Sequence, residues 1–230
     1  MDAAIVTVGD ELLSGETVDT NASWLAARLA ERGVDVERVT TVPDRVDDIA
    51  AAVAEYRGAY DAVLVTGGVG PTHDDVTMDG VAAAFGVELA ADEEALAWLA
   101  DHGGYAGDDL DEGTTHLPAG ARPLHNEAGV APGCVIESVY VFPGVPAEME
   151  AMFEGVAGEF SGERRYAEHV ETSEPESTLL DRFETLRAEF DVTVGSYPGD
   201  GVRVKLAGTD PAEVERAAAW LRERVDPVGE

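Results

Sequence analysis

Apolar positions along the chain switch between two rhythms. Residues 3–8 (AAIVTV) and 62–66 (AVLVT) are short, nearly unbroken apolar runs. Such runs suit strands buried on both faces. Residues 21–32 place Trp24, Leu25 and Leu29 on one helical face. Asp19 or Thr20 can cap the start of that helix, and Gly33 fits its end. Residues 34–42 predict a second strand that stops at Pro43-Asp44, and residues 46–56, carrying Ile49 and Val53, predict a second helix. A third helix is expected over 76–85. Strand and helix alternate, which predicts an α/β fold with a mostly parallel sheet and right-handed crossovers.

The pattern then changes. Residues 92–111 are acidic and interrupted by Gly103, Gly104 and Gly107, so a short helix with Leu96 and Leu99 is expected, followed by a loop. Order resumes at 117–121, and residues 134–137 and 140–142 predict a hairpin. Pro146 opens a helix to about 160, in the first-turn position that proline favours. Residues 161–165 (SGERR) read as a linker. Beyond it come a strand at 166–172 and an amphipathic helix at 176–190 with Leu179, Leu180, Phe183 and Leu186. Two strands (192–196 and 202–206) around the turn 198–201, and a last helix at 211–225, complete a βαββα pattern. Two domains are expected, 1–160 and a small α+β domain at 166–230.

In a parallel sheet, ligands bind outside the carboxyl ends of the strands. Three polar clusters fall at consecutive strand ends here: Gly9-Asp10-Glu11, Asp44, and the segment from Gly67 to Asp75. The fold would bring them to one edge. Within TGGVGPTHDDVT (66–77), Gly67, Gly68 and Gly70 allow positive φ and a close approach of backbone N–H groups to an anion. This is a candidate phosphate loop that includes Thr72, or simply a tight turn; it is neither a Walker loop nor GxGxxG. Asp74 and Asp75 can be helix caps. Beside a phosphate they would instead require a cation, and a divalent ion (Mg²⁺, Mn²⁺ or Co²⁺) held by one or two carboxylates and phosphate oxygens would resolve the repulsion. K⁺ is a further candidate. Asp10, Glu11 and Asp44 could complete the metal shell or act as base; His73 could be a ligand but reads as an exposed loop histidine. Ser14 and Gly15 read as a loop offering hydroxyl and backbone donors. Asn21 reads as a helix cap, with a base-recognition amide as the alternative.

Charge narrows the partners. The chain has 47 acidic against 15 basic residues, a formal net charge of −32, and Lys205 is its only lysine. Like charge of this density opposes compaction unless salt screens it. The composition therefore reads as adaptation to a high-salt cytoplasm, as in halophilic archaea. No basic stripe exists to neutralise nucleic-acid phosphates, so nucleic acid is not an expected partner. No apolar run approaches the roughly 18 residues of a membrane span, and no signal-peptide pattern opens the chain. A cytoplasmic protein is expected. The single cysteine, Cys134, excludes an intrachain disulfide.

Four motifs, GDELLSGETVDTN (9–21), TGGVGPTHDDVT (66–77), NEAGVAPG (126–133) and FPGVPAEM (142–149), together resemble the molybdopterin-binding domain family. That family includes MoaB/Mog proteins and the N-terminal part of CinA-type proteins (competence/damage-inducible protein A). The tail from about 166, with GSYP at 195–198 as a turn, resembles the small second domain of the CinA-type branch. The resemblance implies a three-layer αβα domain that binds a phosphorylated pterin or a nucleotide at the glycine loop. It matches Asp44 and Asp75 to the two acids of molybdopterin adenylyl transfer, and Ser14 and Gly144 to Pro146 to pocket-lining segments. It also implies a homo-oligomer, for which the apolar face of the second domain is a candidate contact. MoaB/Mog proteins usually carry an arginine where Asp74 stands. A second acid there favours the CinA-type reading, metal-dependent hydrolysis of a nucleotide pyrophosphate such as ADP-ribose or FAD. Adenylyl transfer in molybdenum-cofactor biosynthesis and a non-catalytic binding module remain alternatives. The chain ends before the further deamidase domain of full-length CinA proteins, so that activity is not expected.

Overall fold

A computed structural model describes residues 1–70, 72–102 and 114–228. The expected glycine-broken loop around 103–107 lies outside them. The chain forms two compact units, residues 1–162 and 163–230.

The first unit opens with β1 (Asp2–Val8), a short helix α1 (Asp10–Ser14), α2 (Thr20–Glu31), β2 (Asp35–Val42), α3 (Val46–Arg57), β3 (Ala62–Thr66) and α4 (Thr77–Phe85). It continues with β4 (Leu89–Ala91), α5 (Glu93–His102), β5 (His116–Pro118), β6 (Arg122–Leu124), β7 (Gly133–Ile136), β8 (Val139–Phe142) and α6 (Pro146–Val156). Six strands form one sheet in the order β2-β1-β3-β8-β7-β6, while β4 and β5 pair separately. β2, β1, β3 and β8 run parallel, and β7 and β6 add antiparallel.

Strand alternation sorts the core into two layers. Ala3, Ile5, Ala62, Leu64, Tyr140 and Phe142 pack on Leu25 and Leu29 of α2 and Met149 and Phe153 of α6. Ala4, Val6, Val63, Val65, Val139 and Val141 pack on Ile49 and Val53 of α3 and Val81 of α4. Burial on both faces explains the unbroken apolar runs, and the expected three layers are present.

The second unit consists of β9 (Tyr166–Thr172), α7 (Leu180–Glu189), β10 (Thr193–Pro198), β11 (Val202–Gly208) and α8 (Pro211–Arg222). Its sheet has the order β10-β11-β9 and is antiparallel. Val170, Val204 and Leu206 face Phe183 and Leu186 of α7 and Ala217 and Leu221 of α8. The apolar face expected to make an oligomer contact is thus covered by the unit's own helices. The GSYP segment is not a turn: Gly195 to Pro198 are extended and pair with Lys205 to Val202. Among the described residues, no helix is long and apolar enough to cross a membrane.

Candidate functional site

Parallel pairing brings four strand ends together. Val8 is in register with Val42, Thr7 with Thr66, and Thr66 with Phe142. The segments that follow, Gly9 to Glu11, Asp44, Gly67-Gly68 and Gly144 to Pro146, therefore meet at one edge. They line a cleft of about 320 Å³, together with Asp19, Asn21, Asp74 and Asp75.

The glycines are there for closeness. A Cβ on Gly67, whose φ is +102°, would overlap the Val8 carbonyl oxygen. A Cβ on Gly144 would lie 3.2 Å from Gly67 Cα, so the β3 and β8 ends touch backbone to backbone. Gly68 has φ +59°, and a Cβ there would sit 2.6 Å from Thr77 Oγ1 and 3.3 Å from Asp44 Oδ1. Among the described residues, no protein acceptor takes the N–H of Gly68, Val69 or Gly70.

The acids are not helix caps. α4 starts at Thr77, its N-cap is Val76, and no side chain caps it. The Asp75 carboxylate instead closes its own loop: Oδ2 accepts from the Thr72 N–H at 2.9 Å and the Thr72 hydroxyl at 2.5 Å. Thr72 is also the first cause holding the exposed Asp74 carboxyl below its ordinary value, followed by the Asp74 backbone N–H. His73 is almost fully exposed.

Asp44 Oδ2 accepts from the Asp10 backbone N–H at 2.7 Å. This ties α1 to the β2 end and leaves Oδ1 beside Gly68. Asp10 reaches the site through its backbone, whereas Glu11 lines the cleft with Asp44. Ser14 and Gly15 depart from their expected place. Residues 10–14 are helical, Gly15 ends the helix in the left-handed region, and the Ser14 hydroxyl donates to the Glu11 carbonyl. Neither residue lines the cleft. The helix was not legible because LLS-Gly also reads as a turn.

Asn21 is not the cap of α2. Asp19 is, accepting from the Ala22 N–H at 2.9 Å. Asn21 Nδ2 donates to Thr66 Oγ1 at 3.1 Å and to the Gly144 carbonyl at 2.8 Å, while the Thr66 hydroxyl donates to the Pro143 carbonyl at 2.8 Å. Sequence reasoning missed this bridge between the β3 and β8 ends. The only signal was a polar residue, Thr66, closing an apolar strand.

Gly70 and Thr72 line a second cleft, of about 350 Å³, with His116, Ala131 and Pro132. The two clefts share Gly68 and Asp75. The two clefts therefore adjoin at the loop.

The donor set bears on a metal. Among the described residues, no group of three or more His, Cys, Asp or Glu is disposed to hold an ion. The four acids Asp10, Glu11, Asp74 and Asp75 thus do not form a ready-made cage. A Mg²⁺-type ion needs only one or two carboxylates when phosphate oxygens supply the rest. Asp74 and Asp75 are adjacent in the chain and both line the first cleft. Of the described residues lining the first cleft, five are acidic (Glu11, Asp19, Asp44, Asp74 and Asp75) and none is Lys, Arg or His.

A family model described as "Probable molybdopterin binding domain" matches residues 4–161. The chain belongs to this family. A family relative from Archaeoglobus fulgidus is 37% identical over 225 residues, covering 97% of this chain and 97% of the relative. One from Thermococcus kodakarensis is 38% identical over 244 residues, again 97% of each. The similarity therefore extends into the second unit. Among solved structures, the protein CinA of unknown function from Thermoplasma acidophilum is 37% identical, with a TM-score of 0.65. That match covers 69% of this chain and 97% of the other. The molybdopterin-binding family, in its CinA-like form, is thus the setting for the loop at which the two clefts adjoin.

Proposed function

We propose that the first unit binds a small nucleotide pyrophosphate across the glycine loop and hydrolyses it with a divalent cation, ADP-ribose or an FAD-like dinucleotide being the substrate. The observation that carries this reading is that the two clefts adjoin at the loop, with Gly68 and Asp75 in common. A ligand with two bulky ends joined by a pyrophosphate suits that shape, with an end in each cleft and phosphates over the unpaired N–H groups. Backbone N–H groups at a βα turn are good anion donors.

Asp74 and Asp75 would hold the cation (Mg²⁺, Mn²⁺ or Co²⁺) together with phosphate oxygens. A bound cation of this kind polarises phosphorus and lowers the pKa of water. The lack of Lys, Arg and His among the described residues lining the first cleft supports a cation requirement, because no cationic side chain there offsets phosphate charge. Asp44 is the residue suited to take a proton from the attacking water. The water oxygen bonds to one phosphorus, the bridging P–O bond breaks, and the proton on Asp44 returns to solvent or to the departing phosphate. ADP-ribose would yield AMP and ribose 5-phosphate.

One observation favours a second reading. Asp44 and Asp75, the pair matched to adenylyl transfer, line the same cleft. That reading predicts turnover of ATP only with molybdopterin present. A pure binding module predicts ligand-induced stabilisation that survives loss of Asp75. The test is an assay of purified protein in molar KCl with ADP-ribose or FAD and each cation. Release of AMP that needs the cation and is lost in Asp75→Ala supports hydrolysis. Absence of turnover with every nucleotide pyrophosphate contradicts it.

A further inference from the structure

Thr77, the first residue of α4, is wholly buried. A threonine one residue earlier, at the cap position, could accept from the free N–H groups of the first turn. Here Val76 holds the cap position and no side chain serves it. The Thr77 hydroxyl turns back instead and donates to the Gly67 carbonyl at 2.7 Å. The Thr77 backbone N–H donates to the Gly68 carbonyl at 3.1 Å. One residue thus holds both carbonyls of the positive-φ glycine pair.

The consequence follows from peptide geometry. In a trans peptide the C=O and N–H point in opposite directions. With the Gly67 carbonyl drawn to Thr77, the Gly68 N–H is turned the other way. With the Gly68 carbonyl drawn to Thr77, so is the Val69 N–H. These are two of the N–H groups without a protein acceptor, and Gly68 lies on the wall shared by both clefts. A glycine peptide has little intrinsic preference between the two orientations, since glycine populates positive and negative φ about equally. Without its anchor the 67–68 peptide could rotate and present a carbonyl oxygen to an anion.

We infer that Thr77 is a positioning residue: its buried hydroxyl fixes the orientation of the 67–68 peptide so that the Gly68 N–H joins the anion cradle. The role rests on the proposed pyrophosphate reading for its ligand, yet it can be tested without turnover. Thr77 is buried and lines neither cleft, so it acts on anion binding through the loop. Thr77→Val keeps the shape and removes the hydroxyl, while Thr77→Ser keeps the hydroxyl and removes a methyl.

The experiment measures affinity for inorganic pyrophosphate with Mg²⁺ by calorimetry, KM and kcat for ADP-ribose, and the melting temperature, for wild type and both variants in molar KCl. The expected result is a Kd and KM raised at least about tenfold in Thr77→Val and restored to within about threefold in Thr77→Ser, at similar melting temperatures. Unchanged Kd in folded Thr77→Val overturns the inference, as does a loss that Thr77→Ser fails to rescue. If Thr77→Val does not fold, Thr77→Ala, which cannot clash, carries the same expectation. Pyrophosphate binding without ADP-ribose turnover in the wild type sinks the hydrolase reading and leaves the role of Thr77 standing on the binding arm. No pyrophosphate binding by the wild type overturns both.

Discussion

The two units solve the same problem with different sheets. In the first, parallel strands end at one edge, and the loops that leave them meet there: Gly9, Asp44, Gly67 and Gly144 are neighbours because Val8, Val42, Thr66 and Phe142 are. In the second, antiparallel strands send consecutive loops to opposite ends, and one face is simply roofed by α7 and α8. The charge differs too. Both units pair arginines with their own acids, Arg28 with Glu31 and Arg122 with Glu159 in the first, Arg182 with Glu174 and Arg222 with Glu168 in the second. Yet the first leaves five carboxylates facing one cleft with no cationic side chain among the described lining residues. Convergent strand ends and unneutralised charge together mark the first unit as the one built for a ligand.

Substitutions should expose that contrast. The largest effect is expected at Asp75: Asp75→Ala should lower kcat/KM for ADP-ribose by about 10³-fold, or about 4 kcal/mol of transition-state stabilisation, with little change in melting temperature. Leu206, fully buried in the second unit, should do the reverse. Leu206→Ala is expected to cost roughly 2–5 kcal/mol of stability in chemical denaturation while leaving kcat/KM of the folded protein unchanged. An equal loss of activity would show that the two units are not separable in function.

Salt should separate the units less sharply. If the acidic composition is an adaptation to high salt, lowering KCl from about 3 M to about 0.1 M lengthens the screening distance from below 3 Å to about 10 Å. Hydrogen exchange should then accelerate more in β1 and β3 than in β11, because the first unit has fewer internal cations. Uniform acceleration would argue against that account.

The smallest effects are with pH, and they run in opposite directions. Burial pushes the Cys134 thiol up to about 12. Burial first, then the hydrogen bond to Glu159, pushes the Tyr140 hydroxyl up to about 12. Folding favours the protonated forms of both. Their contribution is therefore complete below the unfolded values, about 8.5 for Cys and about 10 for Tyr, and is lost as pH rises toward 12. In the second unit, Arg182 first, then the Asp226 N–H, holds Glu174 below its ordinary value. That contribution is present above the unfolded carboxylate value and is lost as pH falls. Exchange in β7 and β8 should thus respond to alkali, and exchange around Glu174 to acid, with the latter weakened in Glu174→Gln. Native Cys134 should resist thiol reagents at neutral pH.

Much of this architecture was legible in the residues. Unbroken runs such as AVLVT meant strands buried on both faces, and the three polar clusters were correctly brought to one edge because right-handed crossovers leave little choice. What stayed hidden depended on contacts across the sequence. Asn21 looked like a cap because it stands at a helix start, yet its partners are Thr66 and Gly144. Thr77 looked like one more residue of α4, and its hydroxyl turns back to Gly67. The short helix at Asp10 to Ser14 has too few residues for a periodicity to declare itself. The GSYP segment was read from resemblance as a turn, whereas strand pairing holds it extended.

The central claim is that one ligand spans the two adjoining clefts with its pyrophosphate on the loop. The most direct measurement is a crystal structure with a non-hydrolysable methylene analogue of ADP-ribose and Mg²⁺ in molar KCl. The account predicts the bridged phosphates against the Gly68 and Val69 N–H groups, the cation on Asp75, and one end of the ligand in each cleft. A ligand confined to a single cleft, or phosphates bound away from the loop, would contradict it.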